Sequence, residues 1–143
     1  MPYDFPAYRV VNRCEALPDP TGYWRGAGRP AEHVRAGELH GRTGRAAGAD
    51  PLAFRLRHLG SGEDGRRLRG VLERAAQAAG WGTPLPAGRA RGVACCLDLG
   101  TASALVAEVS VQEGRVQVRR VTVAADPGLV INPDGARCRC RGR

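Results

Sequence analysis

The chain has 143 residues, of which 43% are hydrophobic and 5% aromatic, and its formal net charge at pH 7 is +8. This length suits one ordinary domain, and the shortage of aromatic side chains means that any core must be mainly aliphatic. The sequence contains no apolar run of about 18 residues and no secretory-signal pattern at its start. We therefore expect neither a membrane span nor export, with a cytoplasmic location as the default.

Arginine supplies all of the basic charge, since the 22 basic residues include no lysine. A nucleic-acid surface has no reason to exclude lysine, which also binds phosphate, so a GC-rich coding sequence is the simpler explanation. The run from Arg66 to Arg69 and the arginines of the last seven positions lack interleaved aromatic residues that would stack on bases. We do not expect a nucleic-acid partner, and a small basic nucleic-acid-binding protein is kept as the alternative hypothesis.

The five cysteines, Cys14, Cys95, Cys96, Cys138 and Cys140, follow no disulfide or metal pattern. An odd number without an export signal argues against a disulfide framework. No cysteine or histidine stands at the spacing of zinc ligands. We expect these thiols to be packing residues and predict no metal site built from them.

Prolines and glycines dominate residues 1–49. Five prolines predict an extended region without helix over 1–31, containing one short strand at 8–11. In residues 32–48 three glycines, Gly37, Gly41 and Gly44, interrupt the helix-forming residues, so the pattern favours a helix there only weakly.

Residues 50–80 predict a helical hairpin. Asp50 and Pro51 provide an N-cap and a first-turn proline for one helix, which stops before Gly60. A second helix is predicted from about Arg66 to Ala79, with Gly80 as its C-terminal cap. The side chains expected in or near the core are Phe54, Leu56, Leu68 and Leu72.

After a linker at 81–91 the hydrophobic period changes to two. Strands are predicted at 92–97, 104–112 and 115–125, and the last two pair antiparallel across Glu113-Gly114. In the third strand, Val116 and Val118 occupy even positions, whereas Val121 and Val123 occupy odd positions. Either a bulge lies near Arg119-Arg120 or the strand is buried on both faces. A short apolar run at 129–131 and a turn at 132–135 follow. The predicted fold is α+β, with the helical hairpin packed on a small antiparallel or mixed sheet.

One loop in the first part has a composition suited to ligand contact. Trp24, Arg25, Gly26, Ala27 and Gly28 place a guanidinium among glycines, where backbone amides can approach a ligand closely. Taken alone, these residues fit an ordinary glycine-rich loop with an exposed arginine better than a ligand site.

Four blocks of sequence give this loop a context. They are PTGYWRGAG, AAGADPLAFRLRHL, VLERAAQAAGWGTPLPAGRARGVA and VAEVSV..GRVQVRRVTVAADPGLVINPDGAR. In this order they resemble the molybdenum-cofactor-binding subunit of the xanthine dehydrogenase and aldehyde oxidase family, most closely the isoquinoline 1-oxidoreductase beta-subunit type. The resemblance covers nearly all of residues 1–137 and implies a partial domain of a larger molybdopterin-binding fold.

The resemblance implies an oxidoreductase that hydroxylates an aldehyde or an N-heterocycle with molybdopterin cytosine dinucleotide as cofactor. Electrons leave such an enzyme through a separate iron–sulfur small subunit. The loop Trp24 to Gly28 would lie against the molybdenum, with Arg25 stabilising negative charge. Thr101 and Ser103, in a small-residue loop over 99–103, would donate hydrogen bonds to the pterin.

The same resemblance also has departures. No residue here matches the general-base glutamate of the family, so no catalytic residue is assigned. Arg139 and Arg141 stand where the family has Gln and Glu, and residues 138–143 form an aberrant Arg/Cys tail. We therefore expect an internal fragment that neither catalyses nor holds the cofactor alone, with a non-functional gene remnant as a further alternative.

Overall fold

The computed structural model describes residues 3–7, 9, 11, 13, 18, 22 and 29–141, without the side chains of 29–36 and 141. This part contains four helices and a three-stranded antiparallel sheet, so the predicted α+β class is confirmed. The elements are α1 (Arg29–Ala46), α2 (Pro51–His58), α3 (Glu63–Ala79), β1 (Arg89–Asp98), β2 (Thr101–Gln112), β3 (Arg115–Asp126) and α4 (Pro133–Arg141). No helix of the described ranges is long and apolar enough to cross a membrane.

Helix α1 runs unbroken through Gly37, Gly41 and Gly44, so the expectation of an interrupted helix is wrong. These glycines recur at i, i+4 and i+7 and lie on one face of the helix. A Cβ on Gly44 would stand 3.2 Å from Cγ of Phe54, so its absence lets α2 approach closely. The helix also begins at Arg29, which corrects the prediction that residues 1–31 contain none.

Helix α2 begins as the sequence predicts. The carboxylate of Asp50 accepts hydrogen bonds from the amides of Leu52 at 3.0 Å and Ala53 at 2.9 Å, and Pro51 occupies the first turn. Its other oxygen accepts a hydrogen bond from the indole N–H of Trp81 at 3.0 Å. This N-cap therefore also joins α2 to the segment that follows α3.

Helix α3 begins at Glu63, three residues before its predicted start, and ends at Gly80 as predicted. Gly80 has φ +67°, and the amide of Trp81 bonds back to the carbonyl of Ala76 at 2.9 Å. This left-handed residue with its back-bonded successor is the usual glycine stop of a helix.

The sheet has the order β1-β2-β3 and two tight turns. The predicted turn at Glu113 and Gly114 is present, with φ of +50° and +74°. A second turn at Leu99 and Gly100, with φ of +47° and +76°, is not predicted. Because of this turn, β2 begins at Thr101, and the loop predicted at 99–103 is partly strand. Strand β1 begins at Arg89, so the end of the linker predicted at 81–91 is also strand.

The predicted bulge is at Arg119. Glu108 pairs with Arg120 and Val109 pairs with Val118, which leaves Arg119 as the extra residue in β3. Strand β3 is exposed along most of its length, so the alternative of burial on both faces is wrong.

The core lies between α3 and one face of the sheet, which we call the inner face. Leu68 and Leu72 are fully buried, and the apolar stripe of α3 meets the even-numbered residues of β2. Leu56 packs against this cluster, whereas Phe54 is buried at the contact with α1. The core cluster consists of Leu59, Leu68, Val71, Leu72, Ala75, Ala79, Val93, Ala102, Ala104 and Val106. The helices and the inner face therefore pack as predicted.

An ion pair connects the first turns of α3 to the end of β3. Arg67 donates from Nε to Oδ2 of Asp126 at 2.8 Å and from Nη2 to Oδ1 at 3.2 Å. The same Nη2 donates to the carbonyl of Gly100 at 2.8 Å. One guanidinium therefore links α3 with the end of β3 and with the β1–β2 turn.

The last described element corrects the predicted turn at 132–135. Asn132 accepts a hydrogen bond from the amide of Gly135 at 2.9 Å, and Pro133 starts α4. The Arg/Cys segment from 138 to 141 is the end of this helix. Residues 129–131 are irregular, and both Leu129 and Ile131 are largely exposed.

Replacing Leu72 by Ala is expected to lower the free energy of unfolding by about 2–5 kcal/mol, because it opens a cavity in a fully buried position. Leu129→Ala is the matched control, at 89% exposure. It should change the free energy of unfolding by no more than about 0.5 kcal/mol. Urea denaturation measures both, and equal effects would contradict the assignment of the core.

Replacing Asp126 by Asn is expected to lower the melting temperature at neutral pH. Its hydrogen bonds with Arg67, and then with the amide of Gly128, lower the pKa of the Asp126 carboxyl. The stabilisation is therefore complete above the unfolded pKa of about 3.9 and is lost as the pH falls through the lower folded value. Wild type and variant should converge in acid when melting is recorded against pH. Asp134→Asn, which removes an exposed pair within α4, should change the melting temperature little.

Candidate functional site

The predicted cofactor loop, Trp24, Arg25, Gly26, Ala27 and Gly28, lies outside the described residues. The short strand predicted at 8–11 likewise falls largely outside them. The role of Arg25 therefore stays a prediction.

Thr101 and Ser103 lie in strand β2 rather than in the loop predicted for them. Being two residues apart, they point to the same side of the sheet, away from α3, which we call the outer face. The hydroxyl of Ser103 is 3.2 Å from Sγ of Cys96 on the neighbouring strand. Thr101 pairs with Asp98 next to the turn. The geometry thus gives Ser103 a neighbour on β1, and the segment predicted as a loop is a turn at 99–100 followed by strand β2.

Ser103 lines a cavity of about 550 Å³ between α1 and the edge strand β1. Most of its surface is apolar, and the sheet forms its floor. Its polar groups are the guanidinium of Arg55, the hydroxyl of Ser103 and the thiols of Cys95 and Cys96. Glu38 also lines it, but that side chain is exposed and pairs with Arg42 at 3.5 Å. We call this space the α1–β1 cavity.

Arg55 is the buried cation of this cavity. Only 3% of the residue is exposed, and it donates to the carbonyls of Pro51 and Gly37, each at 3.1 Å. Its Nε has no hydrogen-bond partner in the described structure. Sequence analysis did not single out Arg55, although its position three residues after Leu52 places it on the apolar stripe of α2.

Tyr3 packs beside Cys95, one of the residues that line the cavity. Its ring stacks on His40 with centroids 3.8 Å apart, and its hydroxyl is 3.2 Å from Sγ of Cys95. Burial is the main cause that raises the pKa of Tyr3, and burial also raises the pKa of the Cys95 thiol. Both groups are therefore neutral at physiological pH.

The described residues do not fit a molybdopterin dinucleotide. Such a group needs a series of hydrogen-bond donors and a cradle of free amides for its phosphates. The α1–β1 cavity offers one hydroxyl, two thiols and one guanidinium on largely apolar walls. The amide of Gly37, its nearest glycine, belongs to a continuous helix. We derive no chemical step through this cofactor.

The outer face of the sheet exposes several apolar side chains. Because the bulge at Arg119 absorbs one residue, the valines before and after it point the same way. The exposed apolar side chains on this face are Leu105, Val111, Val116, Val118, Val121 and Val123. A second cavity, of about 620 Å³, lies between Val121, Val123 and helix α4. An apolar face of this extent is typical of a surface covered by further protein.

Many of the arginines that the structure describes bond to the protein itself. Arg91 donates to the carbonyl of Gly80 at 2.7 Å and Arg120 to that of Ala78 at 2.9 Å, so both complete the end of α3. Arg89 and Arg91 also flank the buried Glu108, and the hydrogen bond from Arg89 is the main cause that lowers the pKa of this carboxyl. These arginines hold the fold together and are not arranged as a phosphate-binding surface.

The cysteines differ in environment. Cys95 and Cys96 are half-buried in β1, as the packing hypothesis expects, but Cys138 and Cys140 are exposed on α4, so for these two the hypothesis is wrong. Cys14 lies outside the described residues. In the described ranges no group of three or more His, Cys, Asp or Glu side chains is placed to hold a metal ion.

Comparison with known proteins adds no relative. No family model, no curated protein and no solved structure matches the chain.

The thiols are expected to react with iodoacetamide in the order of their exposure. At about pH 8, Cys138 and Cys140 should be alkylated in the native protein, because reaction requires an accessible thiolate. Cys95 should be protected until the chain unfolds, since burial raises its pKa. Mass spectrometry of proteolytic peptides measures each site separately. Early modification of Cys95 would contradict its packing under Tyr3.

Proposed function

We propose that the chain is a scaffold part of the cofactor-binding subunit of a molybdenum hydroxylase and does not catalyse by itself. Full-length members of that class hydroxylate aldehydes or N-heterocycles. The order of the four sequence blocks supports the assignment to this class. The observation that carries the scaffold role is the row of exposed apolar side chains on the outer face of the sheet.

The second, third and fourth blocks lie largely in helices and strands. The second block, at 46–59, contains the capped helix α2, and the third, at 71–94, runs from the middle of α3 into β1. The fourth, at 106–137, forms most of the β2–β3 hairpin and the start of α4. These three blocks thus contribute helices and strands that position other parts, which supports a scaffold role.

The outer face supports a role within a larger assembly. A sheet that packs one face against the core usually exposes polar residues on the other face. Here the opposite side is apolar, with Val116 and Val118 each more than 60% exposed. Covering such a face with a second protein layer removes apolar surface from water and stabilises both layers. Further segments of a hydroxylase subunit are the layer that we propose.

The ion pairs of three acidic residues that the structure describes support the proposal that the chain does not catalyse by itself. Glu108 and Asp126 are held by arginines on the inner face, and Glu38 pairs with Arg42. None of these three stands free beside a cavity as a general base.

The test is expression of the chain in a host that makes molybdopterin cytosine dinucleotide. We expect cooperative thermal unfolding, a molybdenum content far below one atom per chain, and no oxidation of isoquinoline or benzaldehyde with a dye acceptor. Stoichiometric molybdenum with turnover would overturn the non-catalytic proposal. Salt-dependent binding of duplex DNA at physiological ionic strength would instead favour the nucleic-acid alternative.

A further inference from the structure

Strand β3 has a free edge in the part of the chain that the structure describes, because the sheet ends there and no further strand pairs with it. An edge strand directs alternate backbone N–H and C=O groups away from its sheet, where they can pair with another chain. All seven residues at 115–121 are exposed. We call residues 115–121 the open stretch of β3.

One side of the open stretch is apolar. Val116, Val118 and Val121 all lie on the outer face, because the bulge at Arg119 absorbs one residue between them. These three side chains are between 50% and 67% exposed. They form a row of apolar groups along the free edge.

The other side of the open stretch is basic. Arg119 donates to the hydroxyl of Ser110 on the inner face at 2.8 Å, and Arg120 donates to the carbonyl of Ala78 in α3 at 2.9 Å. Arg115, which adjoins a valine of the outer face, lies on the same side as these two by alternation. None of the ion pairs among the described residues includes any of the three arginines. Each guanidinium retains N–H groups that can bind a carboxylate.

We propose that the open stretch of β3 binds an extended segment of another protein in which apolar and acidic residues alternate, and that this segment adds to the sheet as a fourth strand. The proposal is independent of the proposed function, because it rests on the edge of β3 and not on the family resemblance.

The alternation follows from the geometry of a strand. Successive side chains of a strand point to opposite faces, so a segment paired with β3 places every second side chain beside the valines and the others beside the arginines. Apolar side chains there remove surface from water, and carboxylates form charge-assisted hydrogen bonds with the guanidinium groups. Backbone pairing supplies affinity and the alternate side chains supply specificity.

The bulge is compatible with such a partner. Strand β2 pairs with β3 on both sides of Arg119, with Val109 opposite Val118 and Glu108 opposite Arg120. We expect a partner on the free edge to pair on both sides in the same way, since the valine row continues across the bulge.

The charge of the open stretch disfavours two other occupants. A second copy paired antiparallel through its own β3 would place arginines beside arginines, and like charges across strands are destabilising. A single-stranded nucleic acid would meet the guanidinium groups, but the open stretch has no aromatic side chain on which bases could stack.

The test measures peptide binding to the whole chain by fluorescence anisotropy at physiological ionic strength. A labelled octapeptide of alternating valine and glutamate should bind with a Kd below about 0.1 mM. Lysine in place of glutamate should weaken binding at least about tenfold. A block peptide, with four glutamates followed by four valines, should also bind more weakly, because it cannot separate its acidic and apolar side chains between two faces.

Three outcomes of this comparison would overturn the proposal. Equal affinity for the block peptide would show that charge alone explains binding. Tighter binding of an oligothymidylate with four phosphates would show a general polyanion surface. No binding of the alternating peptide up to about 1 mM would show that the edge takes no such strand.

Backbone pairing is tested with two further alternating peptides, N-methylated on all valines or on all glutamates. The N–H groups of alternate residues point to opposite edges of a strand, and only one edge faces β3. One methylated peptide should therefore lose binding and the other should keep it. Equal behaviour of the two would overturn the addition of a strand.

Two charge reversals locate the binding site. Arg115→Glu changes an exposed residue of the open stretch and should weaken binding of the alternating peptide at least about fivefold. Arg57→Glu makes the same change at an exposed position of α2 and should alter the affinity by less than about twofold. Equal effects would show that the peptide responds only to the net charge of the protein and would overturn the proposal.

Discussion

Burial of one side of α3 against the inner face of the sheet is the contact on which the other elements depend. Leu68 and Leu72 are fully buried there, and the alanines around them allow the helix to lie close to the strands. Three arginines, Arg67, Arg91 and Arg120, add hydrogen bonds at the two ends of α3. They donate to carbonyls at the end of α3 and in the β1–β2 turn, and so they connect the helix to the strands. Helices α1 and α2 then pack around the edge strand β1 and enclose the α1–β1 cavity.

Local signals predict the elements whose ends are determined by nearby residues. Asp50 with Pro51 predicts the start of α2, and Gly80 predicts the end of α3. Asn132 and Pro133 likewise provide a side-chain acceptor and a first-turn proline for α4. The sequence of α4 lacks the periodic apolar residues that would identify it as a helix. Helix α1 is the opposite case, because its glycines lower helix propensity but permit close contact with α2. That benefit depends on Phe54 being nearby, which no local pattern contains.

The candidate site is less predictable than the fold. Ser103 lines a cavity, as a ligand-contacting residue would, but it lies in strand β2 and not in a loop. The strand can begin this early because the turn before it contains Leu99 with a positive φ, which leucine rarely adopts. Arg55 is almost fully buried, whereas sequence patterns assign an arginine to the surface. The family resemblance rests on the order of blocks, and its central loop lies outside the described residues. Fold and cavity can therefore be argued from contacts, whereas membership of the molybdenum hydroxylases stands as a proposal.

The bulge in β3 has a consequence for how the chain tolerates changes of length. Removing a residue from a strand normally turns all side chains on one side of the gap to the other face. Arg119 is the exception, because it is the residue without a partner in the ladder. Its deletion would leave Val118 and Val121 on the same face in a regular strand. Loss of a residue between Arg120 and Asp126 would instead shift the register relative to Arg67. Position 119 is thus the point in β3 where a one-codon deletion is compatible with both faces of the sheet.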